Sequence, residues 1–141
     1  MDKRFWICGA VMSITAMVLD FLIHGLLLRA DYTALVASGF VRGPEAGASY
    51  LPWMLLAHVG IGFGLTALYR RFDPAPAGDV RQGLRFGLLM ALATTVPGYL
   101  IWFAVQPWPA GLVVKQITFS TLAMLLLGLL LAWLQPRRVS L

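Results

Sequence analysis

The sequence predicts an all-α integral membrane protein, a four-helix bundle that runs up-down-up-down with both termini in the cytoplasm. Of the 141 residues, 60% are hydrophobic and 12% are charged, whereas soluble domains carry roughly 25% charged residues. The charges are also segregated. Four stretches of about 20 residues are nearly free of them, as crossing a hydrocarbon core of roughly 30 Å requires. Helices are expected because each satisfies its own backbone hydrogen bonds in lipid.

We expect a single membrane domain over residues 1–141. Its four spans are predicted at about 5–28, 51–69, 84–105 and 112–134. Residues 29–50 form an external loop, in which Asp31 is expected to cap a short helix that ends at Gly39. This short helix is expected either to lie on the lipid headgroups or to form a lid over a cavity.

The basic residues predict the orientation. Alternating spans place eight of the eleven Lys and Arg residues on one side, including Arg137 and Arg138, and three on the other, namely Arg29, Arg42 and Lys115. The positive-inside rule then puts the first side and both termini in the cytoplasm. Since the net charge of +5 is explained by these flanking residues, no nucleic-acid partner is expected.

Asp20 and His24 are ionisable residues inside the first apolar stretch. Such residues are costly in a membrane span and by default mark a functional site. They are four residues apart and therefore share a helix face. At 1.5 Å per residue, His24, His58 and Asp20 lie about 6, 10 and 12 Å from the outer ends of their spans. Other polar residues fall at similar levels: Thr94, Thr95, Tyr99, Gln116 and Ser120.

Three interpretations of this polar layer remain open. Asp20 could hydrogen-bond His58 or a threonine and lock the helices together, in a structural or accessory subunit of a larger membrane complex or a homo-oligomer. The layer could instead line a cavity in the outer half of the bilayer that binds a small polar ligand or a proton. Finally, His24 and His58 could be axial ligands of a haem.

Enzyme and metal signatures are absent from the sequence. It has no Gly-x-Ser-x-Gly elbow, phosphate loop or dinucleotide fingerprint. It also lacks Cys-x-x-Cys-His and His-Glu-x-x-His, and no third strong ligand accompanies the two histidines. We therefore expect no catalytic residues and no metal site, and no cofactor unless the haem alternative holds.

Small residues and one proline predict details of helix packing. Gly60 and Gly64, with Ala57 beside them, form a small-residue face that permits close approach of another helix. Pro97 removes a backbone donor inside the third span and should kink it. Thr94 and Thr95 stand beside it and can hydrogen-bond the loosened backbone.

The segment from Asp20 to Leu28, followed by Arg29-Ala30-Asp31-Tyr32, resembles small bacterial four-helix membrane proteins of unknown function. The resemblance extends to the start of the second span and to the glycine-rich third and fourth spans. It implies a multi-pass protein of the bacterial inner membrane and implies no catalytic activity.

Overall fold

The computed structural model of the protein describes residues 2–72 and 78–135. These ranges hold five helices: α1 (Lys3–Leu27), α2 (Arg29–Ala37), α3 (Gly47–Tyr69), α4 (Val80–Val105) and α5 (Ala110–Leu134). All but α2 are long and apolar enough to cross a membrane, and a 3₁₀ turn at Pro44–Ala46 leads into α3. The all-α class and the compatibility with a membrane helical bundle are thus confirmed.

Each long helix begins two to four residues before the span predicted for it, and two of the four begin at an aspartate cap. Asp2 accepts a hydrogen bond from the Phe5 N–H at 2.9 Å and begins α1. Asp79 caps α4 in the same way through the Gln82 N–H, at 3.0 Å. The Phe5 N–H and the Arg70 guanidinium both hold the pKa of Asp2 below its usual value. Arg137 and Arg138 lie outside the described residues.

Helices α1 and α4 each contain a wider, π-helical segment. In α1 it spans Phe21–Leu27, and the Leu28 N–H bonds the Ile23 carbonyl five residues back at 2.8 Å. In α4 it spans Ala91–Thr95, immediately before Pro97. The Thr94 hydroxyl donates to the Met90 carbonyl at 2.6 Å, whereas the carbonyl that loses its donor to Pro97 is that of Ala93. Such segments are frequent at functional sites.

Helices α1 and α3 pack closely and run in opposite directions, since Asp2 meets Arg70 and Asp20 meets His58. Their contact depends on Gly62. A Cβ atom there would lie 2.7 Å from the Gly9 carbonyl oxygen and closer still to Ser13. The prediction that Gly60 and Gly64 form a close-packing face is wrong for packing within the chain, because no described residue would lie within 4 Å of a Cβ atom at either position.

Helices α4 and α5 form a second close pair through three glycines. A Cβ atom on Gly83 would lie 2.8 Å from the Gly128 carbonyl oxygen, and one on Gly128 would lie 2.9 Å from the Gly87 nitrogen. Gly83 and Gly87 are four residues apart, so the signal for this contact was present in the sequence.

The two helix pairs join through α1 and α5. Helices α3 and α4 meet at one end, where the Tyr69 and Phe86 rings lie 5.0 Å apart, and they make few backbone contacts elsewhere. The main apolar core lies in the half of the bundle that holds the start of α1. It is centred on Met12, Phe86 and Leu131. The polar layer lies beyond this core toward the other end, on the side where α3 and α4 separate.

Helix α2 folds over the end of the bundle opposite to that core. It starts at Arg29, directly after α1, so Leu28 and not Asp31 precedes its first turn, and the predicted Asp31 cap is wrong. The Asp31 carboxylate instead accepts hydrogen bonds from Lys115 Nζ at 2.9 and 3.0 Å. Gly39 ends the segment with a φ of 74°, as expected.

Candidate functional site

Asp20 lies between the two histidines of the chain. Its Oδ1 atom is 3.4 Å from Nε2 of His24, and its Oδ2 atom is 3.6 Å from Nε2 of His58. The side chain of Asp20 is 34% exposed and that of His58 is 7% exposed. The Asp20 carboxylate is therefore the accessible member of the cluster, and His58 is its buried member.

A backbone hydrogen bond fixes the protonation of the Nδ1 atom of His58. Its Nδ1 atom lies 2.6 Å from the Met54 carbonyl oxygen. A carbonyl oxygen can only accept, so Nδ1 carries a hydrogen. A neutral His58 then presents the lone pair of Nε2 to Asp20. That contact is attractive only when one proton is held by the imidazole Nε2 or by the carboxyl group.

A chain of hydrogen bonds from α5 and α2 orients His24. The amide Nε2 of Gln116 donates to the Tyr32 hydroxyl at 2.6 Å, and that hydroxyl lies 2.9 Å from His24 Nδ1. Because the Tyr32 oxygen already accepts from Gln116, its own hydrogen is available for His24 Nδ1. His24 Nε2 then carries the hydrogen that faces Asp20.

Tyr99 brings α4 into the cluster. Its hydroxyl lies 3.3 Å from His24 Nε2 and 3.2 Å from the Ser120 hydroxyl. The hydroxyl group can donate to one partner and accept from the other. Polar atoms from α1, α2, α3, α4 and α5 therefore meet at one level.

A cavity of about 790 Å³ adjoins this cluster. Asp20, His58, Tyr99 and Ser120 form part of its wall, and most of the remaining lining is apolar. Thr94 and Thr95 also line it. The Thr94 hydroxyl is bonded within its own helix. Of the eight predicted site residues, Asp20, His24, His58, Tyr99, Gln116 and Ser120 form the connected cluster, while the two threonines belong to the cavity wall.

Tyr32 is part of the cluster but was not predicted. Helix α2 follows α1 after a single residue, which places Tyr32 eight residues beyond His24 and above it. Burial raises the pKa of Tyr32 to about 12, so the phenol keeps its proton at neutral pH. The acidic-aromatic pair Asp31-Tyr32 was visible in the sequence, but only the position of α2 shows that it turns inward.

A second cavity, of about 780 Å³, lies on the α2 side of the cluster. Its lining includes Tyr32, Arg42, Tyr50 and Gln116. Tyr99 and Trp102 line both cavities and so separate them. The cluster thus lies between an outer vestibule and an inner, mostly apolar chamber.

Comparison of the chain with protein-family models, with curated proteins and with solved structures finds no match. Within residues 2–72 and 78–135, no group of three or more His, Cys, Asp or Glu side chains is arranged to hold a metal ion. The Nε2 atoms of His24 and His58 both face the Asp20 carboxylate, so this carboxylate lies in the space between the two imidazoles.

Proposed function

We propose that the protein is a multi-pass protein of the bacterial cytoplasmic membrane, with four spans running up-down-up-down and both termini in the cytoplasm. The uneven distribution of Lys and Arg supports this orientation. Exposed tryptophans support the span boundaries, with Trp6 and Trp133 near one membrane surface and Trp53 and Trp102 near the other. The contact of Asp2 with Arg70 is consistent with the start of α1 and the end of α3 sharing a side.

Within that membrane protein, we propose a binding function in which the Asp20–His24–His58 cluster takes up a proton and holds a small polar group. The single observation that carries this proposal is the Nδ1–H bond of His58 to the Met54 carbonyl, 2.6 Å long. It leaves an unprotonated Nε2 facing a carboxylate unless a proton is bound there. Asp20 also lines a cavity, so a ligand can reach the proton site.

A second candidate is a structural role, in which the cluster holds the helices together in an accessory subunit of a larger complex or in a homo-oligomer. The observation that favours it is the hydrogen-bond chain from Gln116 through Tyr32 to His24, which joins α5, α2 and α1. For the haem alternative, a carboxylate between the two imidazoles is a poor arrangement, because an iron would need both Nε2 atoms.

Infrared difference spectroscopy of the protein in lipid vesicles, with the pH as the variable, tests the binding proposal. We expect a carboxyl band that changes with pH, disappears in Asp20→Asn and shifts its midpoint in His58→Gln. Asp31→Asn is the matched control, because that carboxylate pairs with Lys115 away from the cluster, and it should leave the band unchanged.

Protein accumulation separates the two candidates. If Asp20→Asn and His58→Gln accumulate and remain monodisperse like Asp31→Asn, the cluster is not needed for packing. If both fail to accumulate while the control does not, the structural role replaces the binding function.

A further inference from the structure

The inner cavity has one polar end and a longer apolar part. The polar end carries Asp20, His58, Tyr99 and Ser120, whereas Leu68, Met90 and Leu127 line the part farther from α2. Along α3 the lining runs from Ala57 to Leu68, which at 1.5 Å per residue is about 16 Å. The volume of about 790 Å³ lies within the range of roughly 300–1,000 Å³ that is typical of small-molecule sites.

The long side of this cavity is open between α3 and α4. These two helices touch through Tyr69 and Phe86 at one end of the bundle but make few backbone contacts along the cavity, and only 6% of the most apolar window of α4 is buried. Gly60 and Gly64 on α3 and Gly98 on α4 all line the cavity, and a Cβ atom on any of them would meet nothing within 4 Å. The three glycines thus leave room in the cavity and do not bring helices together.

The opening lies among residues suited to lipid. Leu56 on α3 and Leu92 and Ile101 on α4 are each more than half exposed. Because this surface belongs to two candidate membrane spans, the opening faces the hydrocarbon region. On the α2 side, Tyr99 and Trp102 separate the chamber from the outer vestibule. A molecule dissolved in the bilayer therefore reaches the chamber more directly than a molecule that enters through the outer vestibule.

The polar end favours an uncharged hydroxyl group. Asp20 offers an accessible carboxylate that accepts hydrogen bonds, while the hydroxyls of Tyr99 and Ser120 can donate or accept. A hydroxyl group can donate to the carboxylate and accept from a neighbour at once. A permanently charged head group would have to leave water for the apolar opening at a much higher cost.

We propose that the cavity binds a lipid-soluble molecule with a single hydroxyl head group on an apolar body of about 16 Å, the length of the lined segment of α3, which enters between α3 and α4. This inference rests on the proposed function, since it names the ligand class of the same site. The hydroxyl lies at Asp20, and the body extends past Gly60 and Gly64 toward Leu68.

Photolabelling of the full-length protein in lipid vesicles tests the proposal. The probe is a long-chain primary alcohol with a diazirine in its chain. We expect the label on peptides of α3 and α4, and we expect competition by dodecanol but not by dodecane or dodecanoate. Equal competition by the alkane, or stronger competition by the carboxylate, would overturn the hydroxyl assignment.

Two glycine variants give a matched pair for the body of the ligand. Gly64→Leu places a side chain in the open cavity, and labelling should fall by about an order of magnitude because the space for the apolar body is lost. Gly111→Leu, at an equally open position on α5 outside the cavity lining, should label like the wild type. Equal labelling of the two variants contradicts the proposed site. A dimer that dissociates in Gly64→Leu shows a second copy in the cleft and also overturns the proposal.

The two proposals fail differently. If the infrared band of Asp20 responds to His58→Gln but dodecanol does not compete for the label, the proton site stands and the hydroxyl-bearing ligand is wrong. If the band does not respond, the proton site fails, whatever the labelling shows. In Asp20→Asn the cavity remains, so the label should persist, while the preference for dodecanol over dodecane should fall because the neutral amide oxygen is a weaker acceptor than the carboxylate.

Discussion

Asp20 and His58 face each other across the α1–α3 contact with Oδ2 and Nε2 3.6 Å apart. The distance is that of an ion pair and is longer than a hydrogen bond. It is maintained from both sides, by the hydrogen bond of His58 to the Met54 carbonyl and by the close packing of α1 on Gly62. The geometry of the proposed proton site therefore depends on how closely two helix backbones approach.

Gly62→Ala should destabilise the protein, because the new Cβ atom would overlap Ser13 and the Gly9 carbonyl oxygen. Overpacking of this kind costs about 1–3 kcal/mol. Gly60→Ala, two residues away in the same helix and facing open space, is the matched control and should be nearly neutral. Thermal unfolding in detergent measures both. Equal stabilities of the two variants would show that α1 and α3 do not meet at Gly62.

Tyr32→Phe should destabilise the protein by about 1–3 kcal/mol, because the buried Gln116 amide loses the hydroxyl to which it donates at 2.6 Å. His24 should also lose its fixed ring orientation, which histidine-selective NMR detects as a mixture of tautomers. Tyr50→Phe serves as control, since the Tyr50 hydroxyl makes no hydrogen bond within residues 2–72 and 78–135. An unchanged His24 spectrum in Tyr32→Phe would contradict the assigned hydrogen-bond chain.

Lys115→Met should lower the free energy of unfolding by about 1 kcal/mol or less. The Lys115 side chain is 51% exposed, and surface ion pairs contribute little to stability. Helix α2 should stay in place through Tyr32 and its apolar contacts with Ile23 and Leu112. Hydrogen exchange of the α2 amides in the variant and the wild type measures this. Strongly increased exchange in the variant would show that the ion pair holds α2.

Purification after expression with ample haem should give a protein without a Soret band, because Asp20 occupies the space between the two imidazoles. The absorption spectrum of the wild type and of Asp20→Ala checks this. A Soret band in the wild type that is lost in His24→Ala and in His58→Ala would establish the haem alternative.

The sequence was sufficient for the membrane class and for the level of the polar residues. Apolar stretches of this length predict membrane spans, and the rise of a helix converts position into depth. Six of the eight predicted site residues therefore meet in one cluster. The assignment of Gly60 and Gly64 to helix packing was wrong because a small residue signals either a close contact or a cavity, and the sequence does not distinguish them.

Other features could not be read from the sequence. No proline near the π-helical segment at Phe21–Leu27 predicts it, whereas the segment in α4 precedes Pro97. The position of Tyr32 depends on α2 turning back over the bundle, which is decided by tertiary contacts with residues more than eighty positions away. The gap between α3 and α4 beyond the contact of Tyr69 with Phe86 likewise has no signal in the sequence.

The most direct test of the proposed proton site is the NMR titration of histidine in lipid bilayers. The chain contains two histidines, so selective ¹⁵N labelling gives one set of signals for each, and His58→Gln assigns them. We predict that Nδ1 of His58 keeps its hydrogen throughout, while Nε2 gains or loses a proton in a step that changes when Asp20 is replaced by Asn. An unaltered His58 titration in Asp20→Asn would contradict a proton site that the two residues form together.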